Sequence, residues 1–251
     1  MFTFTGSKEV GEYIRSKAGV REVALELGNN SATIVHCDAD LEKAASQITA
    51  RGFNNAGQVC ISVQRVYVHE EIFDEFLTVL KRKVEALKLG DPFDESTDVG
   101  PMIDVKEAER VEQWVQEAVE NGAEIVAGGN REGALFQPTV LAKAKPEMKV
   151  NCQEIFGPVV SINSYSNFDE ALSLVNDSDY GLQAGVFTND LRLALKAAKT
   201  IKVGGVIVND TSAYRVDQMP YGGVKDSGNG KEGPAYAVEE MTEERIIVFN
   251  N

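Results

Sequence analysis

The sequence predicts an α/β fold, because segments with the periodicity of strands alternate with segments with the periodicity of helices. Strand-like segments lie at residues 2–4, 22–27, 32–36, 64–69, 123–127, 184–188, 203–209 and 244–250. Helix-like segments lie at residues 8–17, 70–87, 105–121, 168–176, 190–199 and 233–241. The chain of 251 residues is long enough for one large domain, or for one domain and part of another.

Local signals predict where several of these elements begin and end. Gly28 ends the apolar strand that starts at residue 22, and Gly122 ends the helix at residues 105–121. Asp38 is a plausible N-cap for the helix that follows it, and Asn167 for the helix at residues 168–176. A strand at residues 244–250 would have free edges, which favours pairing with another subunit.

Composition excludes several classes of function. The net charge is −14 and the basic residues are dispersed, which argues against a nucleic-acid surface. The first residues show neither the basic nor the apolar region of a secretory signal. The apolar runs are too short to span a bilayer, so a cytoplasmic protein without membrane or nucleic-acid partners is predicted.

The cysteines and histidines predict neither disulfides nor a metal site. The three cysteines, Cys37, Cys60 and Cys152, do not form a disulfide framework. The two histidines, His36 and His69, are too few and too isolated along the chain for a zinc site. The sequence therefore predicts a protein without a metal.

Cys60 is the first candidate for chemistry. It closes the stretch Asn54-Asn55-Ala56-Gly57-Gln58-Val59-Cys60, after a helix and a glycine, which predicts an exposed turn. A nucleophilic thiol needs such access and needs help to ionise. The alternative is a buried, inert cysteine.

Two glutamates are the other candidates. Glu26 lies at the end of an apolar strand, where burial would raise its pKa and make it a usable general base. Glu154 and Phe156 precede a Gly-Pro turn and a strand, and could hold a sugar hydroxyl pair and a flat ring. The alternatives are a solvent-facing strand end for Glu26 and an ordinary turn for the Glu154 segment.

Together these segments resemble the aldehyde dehydrogenase family over essentially the whole chain. The resemblance extends from Phe4-Thr5-Gly6-Ser7-x-x-Val10-Gly11, through the Glu26 and Cys60 segments, to Pro220-Tyr221-Gly222-Gly223-x-Lys225-x-Ser227-Gly228. The spacing of Glu26 and Cys60 is also the spacing that this family shows.

The resemblance implies a role for each candidate residue. Cys60 would attack an aldehyde to give a thiohemiacetal, hydride transfer to NAD or NADP would give a thioester, and Glu26 would activate the water that hydrolyses it. The backbone N–H of Cys60 would form half of an oxyanion hole. Cofactor contacts would come from Glu154 at the ribose, Phe156 at the nicotinamide, the segment Leu27-Gly28, and Gly6, Ser7, Val10 and Gly11 near the pyrophosphate.

The resemblance also implies a domain organisation. The fold would be a three-layer catalytic domain of the aldehyde dehydrogenase type, with a remnant of a Rossmann-like cofactor domain. Residues 1–28 would be that remnant, residues 29–225 the catalytic domain, and residues 226–251 a C-terminal helix and an oligomerisation strand, so that a homo-oligomer is expected. Asn29 stands where the family often has glycine, and asparagine tolerates positive φ.

Most of the family's cofactor-binding half, including the second oxyanion donor and a lysine near the ribose, has no counterpart in the sequence. We therefore expect a poorly active or inactive chain. Oxidation of a small aldehyde, aliphatic or hydroxylated, is the leading function. The alternatives are a cofactor-independent esterase or thioesterase that uses Cys60 and Glu26, and a catalytically silent fragment.

Overall fold

The computed structural model describes residues 1–250. The eight α-helices are α1 Lys8–Ala18, α2 Leu41–Phe53, α3 Phe73–Glu85, α4 Val105–Glu120, α5 Lys149–Cys152, α6 Phe168–Asn176, α7 Leu191–Thr200 and α8 Pro234–Glu240. The thirteen strands are β1 Phe2–Thr5, β2 Val23–Glu26, β3 Ala32–Val35, β4 Arg65–His69, β5 Glu124–Ala127, β6 Arg131–Glu132, β7 Leu135–Phe136, β8 Thr139–Ala142, β9 Val159–Tyr165, β10 Tyr180–Gly181, β11 Gln183–Phe187, β12 Gly205–Val208 and β13 Val224–Lys225.

A seven-stranded sheet in the order β12-β11-β3-β4-β9-β8-β5 forms the centre of the molecule. Its strands are parallel except β5, which pairs antiparallel with β8 at one edge. Parallel sheets are covered on both faces, which is why β3 and β4 are almost entirely buried. The predicted α/β class is confirmed.

Helices cover both faces of this sheet, and alternate residues of each strand point to opposite faces. Val35 and Val68 pack in the larger core beneath α2, α3 and α4, whereas Ile34 and Tyr67 pack in a second core beneath α6 and α7. These two cores and the sheet between them make three layers.

A smaller βαβ unit stands apart from the central sheet. β1 and β2 pair in parallel, and α1 connects them. Residues 227–230 bind to the free side of β2: Leu27 N–H donates to Ser227 O at 3.0 Å, and Gly230 N–H donates to Leu25 O at 3.0 Å. The C-terminal part of the chain therefore holds the first part in place.

The parallel register brings the ends of neighbouring strands together. Val35 pairs with Val68, and His69 pairs with Tyr165. His36, the first residue after β3, consequently lies beside His69, and their ring centroids are 5.1 Å apart. The expectation that the two histidines are isolated is wrong, because distance along the chain does not reveal which strands are adjacent.

The expected cap of α2 is also wrong. Asp40, not Asp38, is the N-cap, since its side chain accepts a hydrogen bond from Lys43 N–H. Asp38 instead accepts hydrogen bonds from Asn189 N–H and the Thr188 hydroxyl. The expected cap of α6 is confirmed, because Asn167 accepts from Glu170 N–H.

The terminal strand predicted at residues 244–250 does not form within the described chain. Its apolar side chains are exposed, with Ile246 and Phe249 each 87% exposed. A strand requires a hydrogen-bonded neighbour, and no other segment of residues 1–250 pairs with this one as a strand. Over the same residues, no helix combines the length and apolarity needed to cross a bilayer.

Candidate active site

A cavity of about 1020 Å³ separates the βαβ unit from the amino ends of the central strands. The turns that precede β3, β4 and β9 all reach it, because parallel strands have their amino ends at one edge of the sheet. Eight of the ten residues predicted for the site line it: Gly6, Ser7, Glu26, Leu27, Gly28, Cys60, Glu154 and Phe156. Val10 and Gly11 do not, since Gly11 packs inside the unit against Leu27.

The chain reaches Cys60 through a left-handed turn. Asn55, Ala56 and Gly57 have φ values of 50°, 54° and 70°, which is costly for the two residues with side chains. At Gly57 an added Cβ would lie 2.1 Å from the carbonyl oxygen of Gly157. The turn thus packs directly on the loop before β9, and it brings the thiol to the cavity wall, as the predicted turn requires.

The thiol of Cys60 is half-buried and contacts a tyrosine. Its Sγ lies 3.1 Å from the hydroxyl of Tyr221, a side chain that is 3% exposed. Burial raises the pKa of Cys60, and the charges of Glu154 and Glu26 raise it further. The Tyr221 hydroxyl and the backbone N–H of Cys60 act in the opposite direction, because both stabilise the thiolate.

Glu26 carries a carboxyl group that is buried without a hydrogen bond. The residue is 8% exposed, and neither carboxylate oxygen has a partner among the described residues. Burial, reinforced by Glu232, raises its pKa to about 8. Gly222 and Gly230 crowd the same group, since an added Cβ at either would lie 2.9 or 3.0 Å from Oε1. The group is therefore mostly protonated at neutral pH and is available as a base above it.

Glu154 faces the same cavity from the loop before β9. Its Oε1 accepts a hydrogen bond from Asn29 N–H at 2.8 Å. Burial raises its pKa to about 7, although this hydrogen bond favours the ionised form. Gly28 makes the contact possible, since an added Cβ there would lie 2.3 Å from Oε2.

Asn29 does not adopt the positive φ that asparagine tolerates. Instead its side chain joins two other elements, donating to Ser31 Oγ at 2.5 Å and accepting from Leu182 N–H at 3.3 Å. The amide makes contacts that a glycine at this position could not make.

The far end of the cavity is the amino terminus of α1. Ser7 caps this helix, and Lys8 forms an ion pair with Asp226 at 2.5 Å. The backbone N–H groups of a first helical turn attract anions. On the facing wall, the ring of Phe156 is 43% exposed and its φ is 45°. One wall therefore offers the N–H groups of a helix start and the other an apolar surface.

Two residues that shape the site, Tyr221 and Gln64, have no role predicted from the sequence. Tyr221 belongs to the motif Pro220-Tyr221-Gly222-Gly223, and a tyrosine before two glycines is the only signal in the sequence that could have indicated its role. Gln64 is buried and ties the loops together: its side-chain amide donates to Gln153 O at 2.7 Å, and its Oε1 accepts from Ile155 N–H at 3.1 Å. A polar residue at the start of a buried strand was the only available signal.

The chain matches the aldehyde dehydrogenase family over residues 1–247. It is 69% identical over 250 residues to a 3-sulfolactaldehyde dehydrogenase of Priestia aryabhattai, covering all of this chain and 52% of that protein. It is 44% identical over 250 residues to a lactaldehyde dehydrogenase of Methanocaldococcus jannaschii, covering all of this chain and 54% of that protein.

A solved structure shows the same fold. It is the NADP-dependent glyceraldehyde-3-phosphate dehydrogenase of Bacillus halodurans C-125 in complex with NADP, with a TM-score of 0.95 and 41% identity. The match covers 99% of this chain and 52% of that one. The chain thus spans about half the length of the relatives it matches.

The buried carboxyl group of Glu26 predicts a pH-dependent loss of stability. The unfolded chain ionises this group near pH 4.5, whereas the folded chain holds its proton up to about pH 8. Folding is therefore disfavoured progressively between these values and fully above pH 8. Each pKa unit represents about 1.4 kcal/mol, and about 1 kcal/mol shifts Tm by ~2–4 °C for a chain of this size. Glu26→Gln should raise Tm little at pH 5 and by several degrees at pH 8.

Thermal unfolding followed by circular dichroism at a series of pH values measures this difference. Glu22→Gln is the matched control, because Glu22 is exposed directly before the same strand. If Glu26→Gln changes Tm equally at pH 5 and pH 8, or changes it no more than Glu22→Gln does, the pKa of Glu26 is not raised by burial.

Proposed function

Because the chain belongs to the aldehyde dehydrogenase family, we propose that it carries the nucleophile and the base of an NAD(P)-dependent aldehyde dehydrogenase, within the catalytic portion of that fold. One observation carries the proposal: the half-buried thiol of Cys60 and the unbonded carboxyl group of Glu26 line one cavity together with Glu154 and Phe156. In the proposed domain organisation, residues 1–28 are the last piece of a cofactor domain and residues 29–225 are the catalytic domain.

Cys60 is the proposed nucleophile. Its Sγ attacks the aldehyde carbon and forms a thiohemiacetal, and loss of hydride from that carbon leaves a thioester on the same sulfur. The hydroxyl of Tyr221 is placed to stabilise the thiolate before the attack, since it lies 3.1 Å from Sγ. The backbone N–H of Cys60 is the proposed donor to the oxygen that gains charge.

Glu26 is the proposed base for hydrolysis of the thioester. A carboxylate without hydrogen bonds is a stronger base than a solvated one, and its pKa of about 8 lies close to neutral pH. It takes a proton from water, and the hydroxide so formed releases the acid and the Cys60 thiolate. The rate of this step should rise with pH through that pKa.

The cavity fits a nicotinamide dinucleotide, which when bound accepts the hydride. Gly28 has no side chain, which leaves room for Glu154 to approach the backbone at the end of β2. Oε1 of Glu154 accepts from Asn29 N–H, so Oε2 of Glu154 is available to a ribose hydroxyl. Phe156 offers an exposed ring to the nicotinamide, and Gly6 and Ser7 at the start of α1 suit phosphate. These residues do not distinguish NAD from NADP.

We further propose a short hydroxylated aldehyde with an anionic end as the substrate. The guanidinium carbon of Arg215 lies 4.3 Å from the ring centroid of Tyr221, the residue that contacts Cys60. Arg215 is exposed and pairs with Glu232 at 2.6 Å, so an anion could replace that partner. Two of the proteins compared above are named for substrates that carry a sulfonate or a phosphate, namely 3-sulfolactaldehyde and glyceraldehyde-3-phosphate. Lactaldehyde, which is the substrate in the name of the third, carries neither group.

The exposed apolar residues at 246–249 support assembly through the C-terminal segment. Ile246, Ile247, Val248 and Phe249 are each at least 63% exposed. A second copy of the chain could supply the neighbouring strand that this segment lacks. The proposed form is a homo-oligomer.

The first test is reduction of NAD or NADP by the purified chain with short aldehydes, followed by absorbance. A large excess of enzyme makes even low rates measurable. Reduction should disappear in Cys60→Ala and persist in Cys152→Ala, whose thiol also lines the cavity. Glu26→Gln should accumulate an acyl adduct on Cys60 in intact-mass spectra.

Two outcomes would contradict this function. A burst of product from an activated ester, dependent on Cys60 but without any reduction of NAD or NADP, would favour the esterase. If a folded chain shows no burst and no reduction of NAD or NADP, it is catalytically silent.

The role of Arg215 is tested without any cofactor. Reversible addition of an aldehyde to Cys60 should protect its thiol from iodoacetamide, measured by mass spectrometry. In Arg215→Gln the half-protecting concentration of 3-sulfolactaldehyde should rise about 10-fold, the effect of one charge-assisted hydrogen bond. The value for lactaldehyde should not change. Arg192→Gln, an exposed arginine on α7, is the control; an equal change for both aldehydes would refute the role.

Removal of residues 244–251 tests the proposed assembly. Light scattering coupled to gel filtration should show the full chain as an oligomer and the shortened chain as a smaller species, because the pairing strand is lost. The substitution Phe249→Asp should act in the same direction. An identical mass for the full and shortened chains would exclude this segment as the interface.

A further inference from the structure

Three side chains with metal-binding atoms meet at the carboxyl edge of the central sheet, opposite to Cys60. They are His36, Cys37 and His69, whose potential ligand atoms all lie within 4.8 Å of one another. His36 and Cys37 follow β3 directly, and His69 ends β4. We infer that these three side chains bind Zn²⁺, with water as a fourth ligand.

The spacing of the first two ligands already fits zinc. Sγ of Cys37 lies 3.6 Å from Nε2 of His36. In a tetrahedral site with bonds of about 2.3 Å to sulfur and about 2.0–2.1 Å to nitrogen, these two atoms are ~3.5 Å apart. His69 stands with its ring edge-on to His36, its ligand atom lies within 4.8 Å of the other two, and it must move closer to complete the site.

His36 has an outer partner of the kind that orients metal ligands, and His69 has a carboxylate nearby. Nδ1 of His36 lies 2.8 Å from the Tyr165 hydroxyl, so Nε2 is left for the metal. Nδ1 of His69 accepts a long hydrogen bond from Glu71 N–H at 3.3 Å, and the Glu71 carboxylate lies 4.0 Å away. Binding of the metal through Nε2 of His69 would require a proton on Nδ1, which would replace this hydrogen bond, and the Glu71 carboxylate would have to move closer to accept that proton.

A neighbouring carboxylate adds negative charge. Asp38 follows Cys37, and its Oδ1 is buried without a hydrogen-bond partner among the described residues. Its Oδ2 is fixed by Asn189 N–H at 2.9 Å. A divalent cation at the cluster would compensate the oxygen that has no partner.

The donor atoms select the metal. One thiolate and two imidazoles favour zinc over magnesium or calcium, which prefer oxygen ligands. Because His36 and His69 come from adjacent strands, the ion would fasten β3 to β4 beyond their last pair, Val35 and Val68. Zn²⁺ should therefore raise Tm, as any ligand of the folded state does. The site uses none of the residues proposed for aldehyde oxidation.

Cobalt spectroscopy tests the inference. In the full chain carrying Cys60→Ala and Cys152→Ser, Cys37 is the only remaining thiol. Addition of Co²⁺ should give the near-ultraviolet band of a thiolate bound to cobalt and the visible bands of a tetrahedral ion. Added Zn²⁺ should abolish both.

Further variants assign the ligands. Cys37→Ser should remove the thiolate band, and His69→Gln should weaken Co²⁺ binding by more than the about 10–100-fold that loss of an outer partner costs. Tyr165→Phe should weaken it by about 10–100-fold, as loss of an outer partner does, with the band retained. Circular dichroism confirms that each variant is folded.

If the chain carrying Cys60→Ala and Cys152→Ser is folded but shows no thiolate band at saturating Co²⁺, the inference is overturned. Unchanged Co²⁺ binding after the further substitution Cys37→Ser would also overturn it. Neither result depends on aldehyde oxidation, since both proteins lack Cys60. The metal site and the proposed function can therefore fail separately.

Discussion

The parallel pairing of β3, β4 and β9 is the constraint on which both edges of the sheet depend. Its register, with Val35 beside Val68 and His69 beside Tyr165, brings the turns before these strands to one edge and the residues after them to the other. The thiol, a carboxyl group and an aromatic ring meet at the amino edge for this reason. At the carboxyl edge the same pairing assembles ligands from segments that are distant along the chain.

The candidate active site combines groups that oppose folding. Glu26 is buried without a hydrogen bond, and the pKa of Glu154 is raised although it accepts one from Asn29. Each is less stable in the folded chain, when ionised, than it would be in water. Such costs are typical of functional sites, because a base that is fully solvated or fully paired is a weaker base. The large core beneath α2, α3 and α4 offsets them.

Sequence periodicity predicted the α/β class and most elements, because helices and strands leave local patterns. The immediate neighbours of Cys60 and Glu26 predicted a turn for the first and the end of an apolar strand for the second, but left open whether the carboxyl group of Glu26 is buried. Sequence patterns missed the proximity of His36 to His69 and the contact of Tyr221 with Cys60, since both depend on the order of strands and loops in space. The strand predicted at residues 244–250 is an element that the sequence predicts and the structure lacks. A strand-like pattern does not show whether another strand lies beside it to pair with.

The position of Glu26 depends on residues close to the other end of the chain. β2 pairs with β1 on one side, and residues 227–230 hold its other side. Leu27 N–H donates to Ser227 O, and the N–H groups of Asn229 and Gly230 both donate to Leu25 O. An added Cβ at Gly228 would lie 2.0 Å from Leu25 O, so this contact is very close. The exchange rate of the Leu27 amide proton with deuterium therefore reports whether the two segments are joined. It is a measure of how firmly the base is held, obtained without substrate or cofactor.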